Sequence, residues 1–194
     1  MDASADYDTL TRLAAGALPA DGPVVLVGES FSGPIAIRLA AALERRLKAL
    51  VLCCSFARNP RPGLAWLARA IDWLPSPGVL PSKVTEHALL GSRASAESRR
   101  LLAEALARLP DAVMRARLRM VLGVDTTREL AAVHGAVLYL QATQDRIVPP
   151  GAATHIQRLQ PRTVVIHLAG PHGLLQAAPA ASAAAMTSFL AQLT

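Results

Sequence analysis

Three residues far apart in this 194-residue chain can combine into nucleophilic chemistry: Ser30, Asp145 and His172. Ser30 lies in VVLVGESFSGPIAIRLAAAL (24–43), between a short β-branched run and a long apolar stretch. Gly28 stands two positions before it and Ser32 two after, and small residues there permit a strained turn that lifts the hydroxyl above a sheet. The apolar stretch would begin a helix at the serine, turning unpaired N–H groups toward an anion forming there. A serine hydroxyl is a poor nucleophile at neutral pH; it needs a base, and the base needs a carboxylate to orient it. Asp145 in QATQDRIVPP and His172 in AGPHGLL each follow another apolar run. Each of the three therefore falls in a loop after a separate strand, in the order serine, aspartate, histidine.

Those loops need strands and helices to hold them. Val24–Val27, Ala49–Cys53, Gly135–Ala142 and Thr163–Leu168 are apolar runs that read as strands buried on both faces. Helical spacing covers Asp6–Leu18, Ile35–Leu47 (with Arg38, Glu44, Arg45 and Arg46 outward), Ala152–Leu159 and Ala180–Leu193. Pro34 sits where the first turn of a helix tolerates proline. Strands alternating with helices predict an α/β fold with a parallel sheet covered on both sides. Between Asn59 and Thr126 that rhythm stops, and only helices are expected, punctuated by Pro60, Pro62, Pro75, Pro77, Pro81 and Pro110. Leu64, Trp66, Leu67, Ile71 and Leu74 form an apolar stripe there, with Trp66 and Trp73 read as packing residues. An all-helical insertion between two strands would cover a site at their carboxyl ends.

Other side chains are assigned structural roles. His87, His134, His155 and His167 lie in the insertion, before a strand, in a helix and within a strand. Glu29 should point away from the hydroxyl beside it, toward a pocket wall or the surface. Asp125 precedes a helix and reads as a cap, and Asp21 as a turn residue. Cys53 and Cys54, the only cysteines, give neither a disulfide framework nor a paired metal-ligand pattern. The formal charge of +6 comes from 20 basic residues, all but two of them arginine, spread singly or in pairs without aromatic interleaving. That diffuse footprint argues against nucleic-acid binding. The first residues are acidic (Asp2, Asp6, Asp8) and carry no signal-peptide pattern, and the C-terminal apolar run is broken by Pro179, Ser182 and Thr187. A cytoplasmic location without a membrane span is expected.

The segments LVGESFSG, LYLQATQDRIVP and GPHGLLQAAP together resemble the alpha/beta-hydrolase fold superfamily along nearly the whole chain. The resemblance implies Ser30 as nucleophile, His172 as general base, Asp145 as its partner and the backbone N–H of Phe31 as an oxyanion donor. It implies a core from residues 1–59 and 127–194 with a helical lid over 60–126, a small acyl substrate, and neither cofactor nor metal. Two departures stand out. The usual G-x-S-x-G becomes Gly28-x-Ser30-x-Ser32 with Gly33 following. Only one helix precedes Val24, where the family places four strands and a loop that supplies a second oxyanion donor. Losing one such donor typically costs about 10²–10³ in rate. Val24–Val27 would then be an apolar sheet edge without protective charges or bulges, open to self-association. Residues Asp6–Leu18 match the family's helix before the nucleophile strand, which favours a shortened copy of a longer hydrolase over a minimal version.

A serine hydrolase acting on an ester or related acyl bond is the function expected. The alternatives are a catalytically weak or inactive hydrolase-like chain that binds a ligand or partner, and an acyltransferase sharing the same three residues. No Gly-x-Gly-x-x-Gly fingerprint accompanies any strand, which disfavours hydride chemistry, and a serine at the turn excludes an aspartate nucleophile.

Overall fold

The computed structural model describes residues 3–71, 73, 82–92 and 94–193. Helix α1 (Tyr7–Ala15) is opened by Asp6, whose carboxylate accepts the N–H of Thr9. Strand β1 (Val24–Glu29) leads through a 3₁₀ turn at Ser30–Ser32 into helix α2 (Gly33–Leu43). Strand β2 (Leu47–Cys53) follows. Helices α3 (Leu67–Ala70), α4 (Ser82–Leu90), α5 (Ala96–Ala107), α6 (Asp111–Gly123) and α7 (Thr127–Ala131) then separate it from β3 (Ala136–Ala142). Helix α8 (Gly151–Leu159), strand β4 (Val164–Leu168), and helices α9 (Leu174–Ala177) and α10 (Pro179–Ala191) complete the chain.

The four strands are parallel and ordered β1-β2-β3-β4. In a sheet that grows in one direction, crossovers of a single hand must all lie on one face. Accordingly Ile37 of α2, Leu130 of α7 and Ile156 of α8 pack in one cluster with Leu26, Leu50, Leu52, Val137 and Tyr139. The opposite cluster holds Val51, Leu138 and Leu140 under Leu174 and Phe189 of the C-terminal helices.

This arrangement corrects the expectation of four doubly buried strands. The central strands β2 and β3 are buried on both faces, whereas β1, a sheet edge as expected, and β4, the other edge, are each partly exposed. Along β1 burial alternates: Val24 and Leu26 face the helices, while Val25 and Val27 are 38% and 49% exposed. In β4, Val164 and His167 are exposed. One register irregularity lies between Val24 and Val25, on the side of β1 that pairs with β2, so the outer edge gains no bulge.

Between Pro60 and Thr126 all described regular elements are helical, and the two ends of the segment meet. Asn59 and Thr126 donate backbone N–H groups to the carbonyls of Val124 and Ala57, around a bridge between Arg58 and Asp125. The apolar stripe is only partly inward. Ile71 is buried, but Trp66 is 64% exposed and Trp73 is 89% exposed, so neither tryptophan packs as expected. Leu74, Pro75, Pro77 and Pro81 lie outside the described residues.

Candidate active site

All four strands point their carboxyl ends the same way, and the loops beyond them carry the candidate residues. Ser30 follows β1 with φ +50°, a left-handed backbone that a side-chain-bearing residue adopts only at a cost. Three neighbours hold it there. A Cβ on Gly28 would come within 2.8 Å of Ala36 Cβ, and one on Gly33 within 1.7 Å of Ser55 Oγ. Glycine at both positions lets α2 close against the strand. The Ser55 hydroxyl donates to the carbonyl of Ser30 at 2.7 Å, and Tyr139 Oη in turn donates to the carbonyl of Ser55 at 2.7 Å.

The serine at position 32 makes its own contribution. Its Oγ accepts the N–H of Glu29 and donates to the Glu29 carbonyl, both at 2.9 Å, stapling the turn shut. The close approach to Ser55 occurs at Gly33, so a side chain is tolerated at 32. Phe31 stacks on Tyr7 of α1, with ring centroids 5.0 Å apart, and the Arg117 guanidinium lies 5.4 Å from its ring centre.

The structure brings Ser30, His172 and Asp145 into one hydrogen-bonded line. His172 Nε2 is 2.7 Å from Ser30 Oγ, and His172 Nδ1 is 2.9 Å from Asp145 Oδ2. The imidazole and the carboxylate are both almost fully buried. Asp145 Oδ1 accepts the N–H groups of Ile147 and Val148 at 2.8 and 2.9 Å. Burial alone would raise the Asp145 carboxyl; the His172 hydrogen bond and charge, with the Val148 and Ile147 N–H groups, outweigh it and hold the carboxyl below its ordinary value.

None of the remaining histidines joins this line. His87, His134 and His167 are exposed, and His155 stands by Arg58 and Asp125, with its basicity lowered first by burial and then by Arg58. Asp125 accepts the N–H of Thr127 at the start of α7, as a capping residue does. Glu29 points away from the hydroxyl, as expected, and is half-buried: it accepts hydrogen bonds from the Leu175 N–H and, in an exposed position, from Gln176.

Two buried neighbours were not visible in the sequence. Ser55 is one. Cys54 is the other, with φ +47° at the end of β2; a ligand atom from each of Cys54, Asp145 and His172 lies within 4.8 Å of the other two. Among the described residues these are the ones that could hold a metal ion, although Asp145 and His172 already engage each other. Cys53 hydrogen-bonds to Cys54 and is buried, and both effects push its thiol up. A cavity of about 300 Å³ lies between α4–α5 and the loops after β3 and β4. Ser95, Gln144 and Gln176 line it together with Leu90 and Pro171, and Ser30 and His172 do not.

The sequence model described as the alpha/beta hydrolase family matches residues 2–185. The chain belongs to the alpha/beta hydrolase family. Among curated proteins none matches it. Solved structures agree on the fold. A hydrolase from Pseudomonas aeruginosa PA01 superposes with a TM-score of 0.78 at 17% identity, covering 95% of this chain and 72% of that one. A thermophilic esterase from Thermogutta terrifontis gives 0.74 at 23% identity, over 97% of this chain and 73% of that one. A lipase-esterase related protein from Clostridium acetobutylicum gives 0.74 at 15%, over 94% and 73%. This alpha/beta hydrolase thus shares its neighbours' architecture at identities that speak to fold alone. Among its described residues no helix is long and apolar enough to cross a membrane.

Proposed function

We propose that this alpha/beta hydrolase cleaves an ester or related acyl bond through Ser30, His172 and Asp145. The reading rests on one observation, the continuous line from Ser30 Oγ through both imidazole nitrogens to a buried carboxylate. In this reading Oγ attacks the substrate carbonyl carbon as its proton passes to His172 Nε2. The oxyanion formed is held by the Phe31 N–H at the start of the turn into α2. His172 returns the proton to the leaving oxygen, the bond to it breaks, and an acyl group remains on Ser30. Water then loses a proton to the same nitrogen, attacks the acyl carbon, and frees a carboxylic acid and Ser30. Asp145 stays ionised throughout and stabilises the imidazolium formed in each half. Residues 1–59 and 127–194 act as the catalytic core, and residues 60–126 as a lid over the loops.

Release of p-nitrophenolate from p-nitrophenyl acetate tests this. The wild type should turn over, Ser30→Ala should fall to the uncatalysed background, and Asp145→Asn should lose about 10⁴ in kcat by favouring the wrong imidazole tautomer. Turnover retained in Ser30→Ala would remove the serine from the mechanism. Adding an alcohol acceptor separates hydrolysis from acyl transfer: free acetate marks the first, and a new ester the second.

A further inference from the structure

The loop that carries His172 hangs between three elements. Gln144, beside Asp145, donates its N–H to the carbonyl of Gly170 at 3.0 Å. Gly173 donates its N–H to the carbonyl of Leu89 at the end of α4, at 2.7 Å. On the far side, Leu175 N–H reaches Glu29 Oε1 at 3.3 Å, and Gln176 Nε2–H reaches Glu29 Oε2 at 2.9 Å. Of these ties, only Glu29 comes from the turn that carries Ser30.

Three features aim Glu29 there. It ends β1 in an extended conformation (φ −98°, ψ 131°), so strand alternation sends its side chain to the face bearing Val25 and Val27. The hydroxyl of Ser32 clamps its backbone N–H and C=O together. Gly173, the residue just before helix α9, has no side chain with which to cap it, and Glu29 accepts a first-turn N–H from 146 residues away.

We infer that Glu29 is a positioning residue: by joining the Ser30 turn to the start of α9, it sets the separation between Ser30 Oγ and His172 Nε2. The inference rests on the function proposed above. A nucleophile and its base share one proton over 2.7 Å. Displacement of either group by about 1 Å can cost on the order of 10² in rate. Reach is what the role requires, and negative charge is incidental.

Two conservative variants separate reach from charge. Glu29→Asp keeps the charge but withdraws the carboxylate by one methylene. Glu29→Gln keeps the length, with a carbonyl for Leu175 N–H and an amide that can face the Gln176 carbonyl oxygen. The rate of labelling by a fluorophosphonate probe is followed across pH, together with hydrogen exchange at the Leu175 amide. Glu29→Asp should label about tenfold more slowly and exchange faster at Leu175, with the pH midpoint unmoved. Glu29→Gln should stay within about threefold of wild type in both readouts. The inference is overturned if Glu29→Asp matches wild type, or if Glu29→Gln is the slower variant with a displaced midpoint. Wild-type protein that takes no label defeats the proposed function itself, while Leu175 exchange still reads the tether directly.

Discussion

A carboxylate accepts hydrogen bonds and donates none, and this fixes the proton between Asp145 and His172. Nδ1 must carry the hydrogen that Asp145 Oδ2 accepts, which leaves Nε2 free to receive the proton of Ser30. The same pair makes stability depend on pH. The folded Asp145 carboxyl is held below its ordinary value, so its stabilisation is complete above the unfolded pKa of about 3.9 and is lost as pH falls through the lower folded value. Denaturant unfolding should therefore show Asp145→Asn less stable than wild type near pH 6, with the gap shrinking below about pH 4. A gap that widened on acidification would contradict this sign. Ser30, Asp145 and His172 were legible in the sequence because each sits in its own short stretch of apolar run and loop. Glu29 and Ser55 bond to partners distant in the chain, and Cys54 lies beside two more, Asp145 and His172; no local pattern announces such pairings.

At the scale of elements, the turn between β1 and α2 works because two positions have no side chain. Gly33→Ala would drive a Cβ into Ser55, whose hydroxyl supports the strained Ser30 carbonyl. Thermal unfolding of Gly33→Ala should show a loss of about 1–3 kcal/mol, and Ser32→Gly a smaller one. Equal stability of Gly33→Ala and wild type would mean that the turn has slack. The positions of the strands and their parallel sheet followed from alternation in the sequence, but their order in the sheet and their exposure did not. An apolar run such as Val24–Val27 reads the same whether helices cover both its faces or one, because coverage is decided by elements elsewhere in the chain. Trp66 and Trp73 fail for the same reason: helical spacing identifies a face but not what lies against it.

The molecule as a whole follows from its sheet order. Crossovers crowd onto one face, the C-terminal helices cover only part of the other, and among the described residues β1 pairs on one side only, beside the Ser30 turn. An apolar strand edge is a template for pairing with a second chain. Sedimentation of wild type against Val27→Lys tests that expectation, with a shift toward monomer in the variant as the expected outcome and equal sizes contradicting it. The family match identifies the architecture, and the chemistry proposed above requires three loops from separate strands to converge at one point. Peptide mapping after reaction with a fluorophosphonate probe tests that convergence most directly. A phosphonyl adduct on Ser30, formed with loss of fluoride and sharply diminished in His172→Ala, is the predicted result. A folded protein that takes no label, or takes it at another residue, would contradict it.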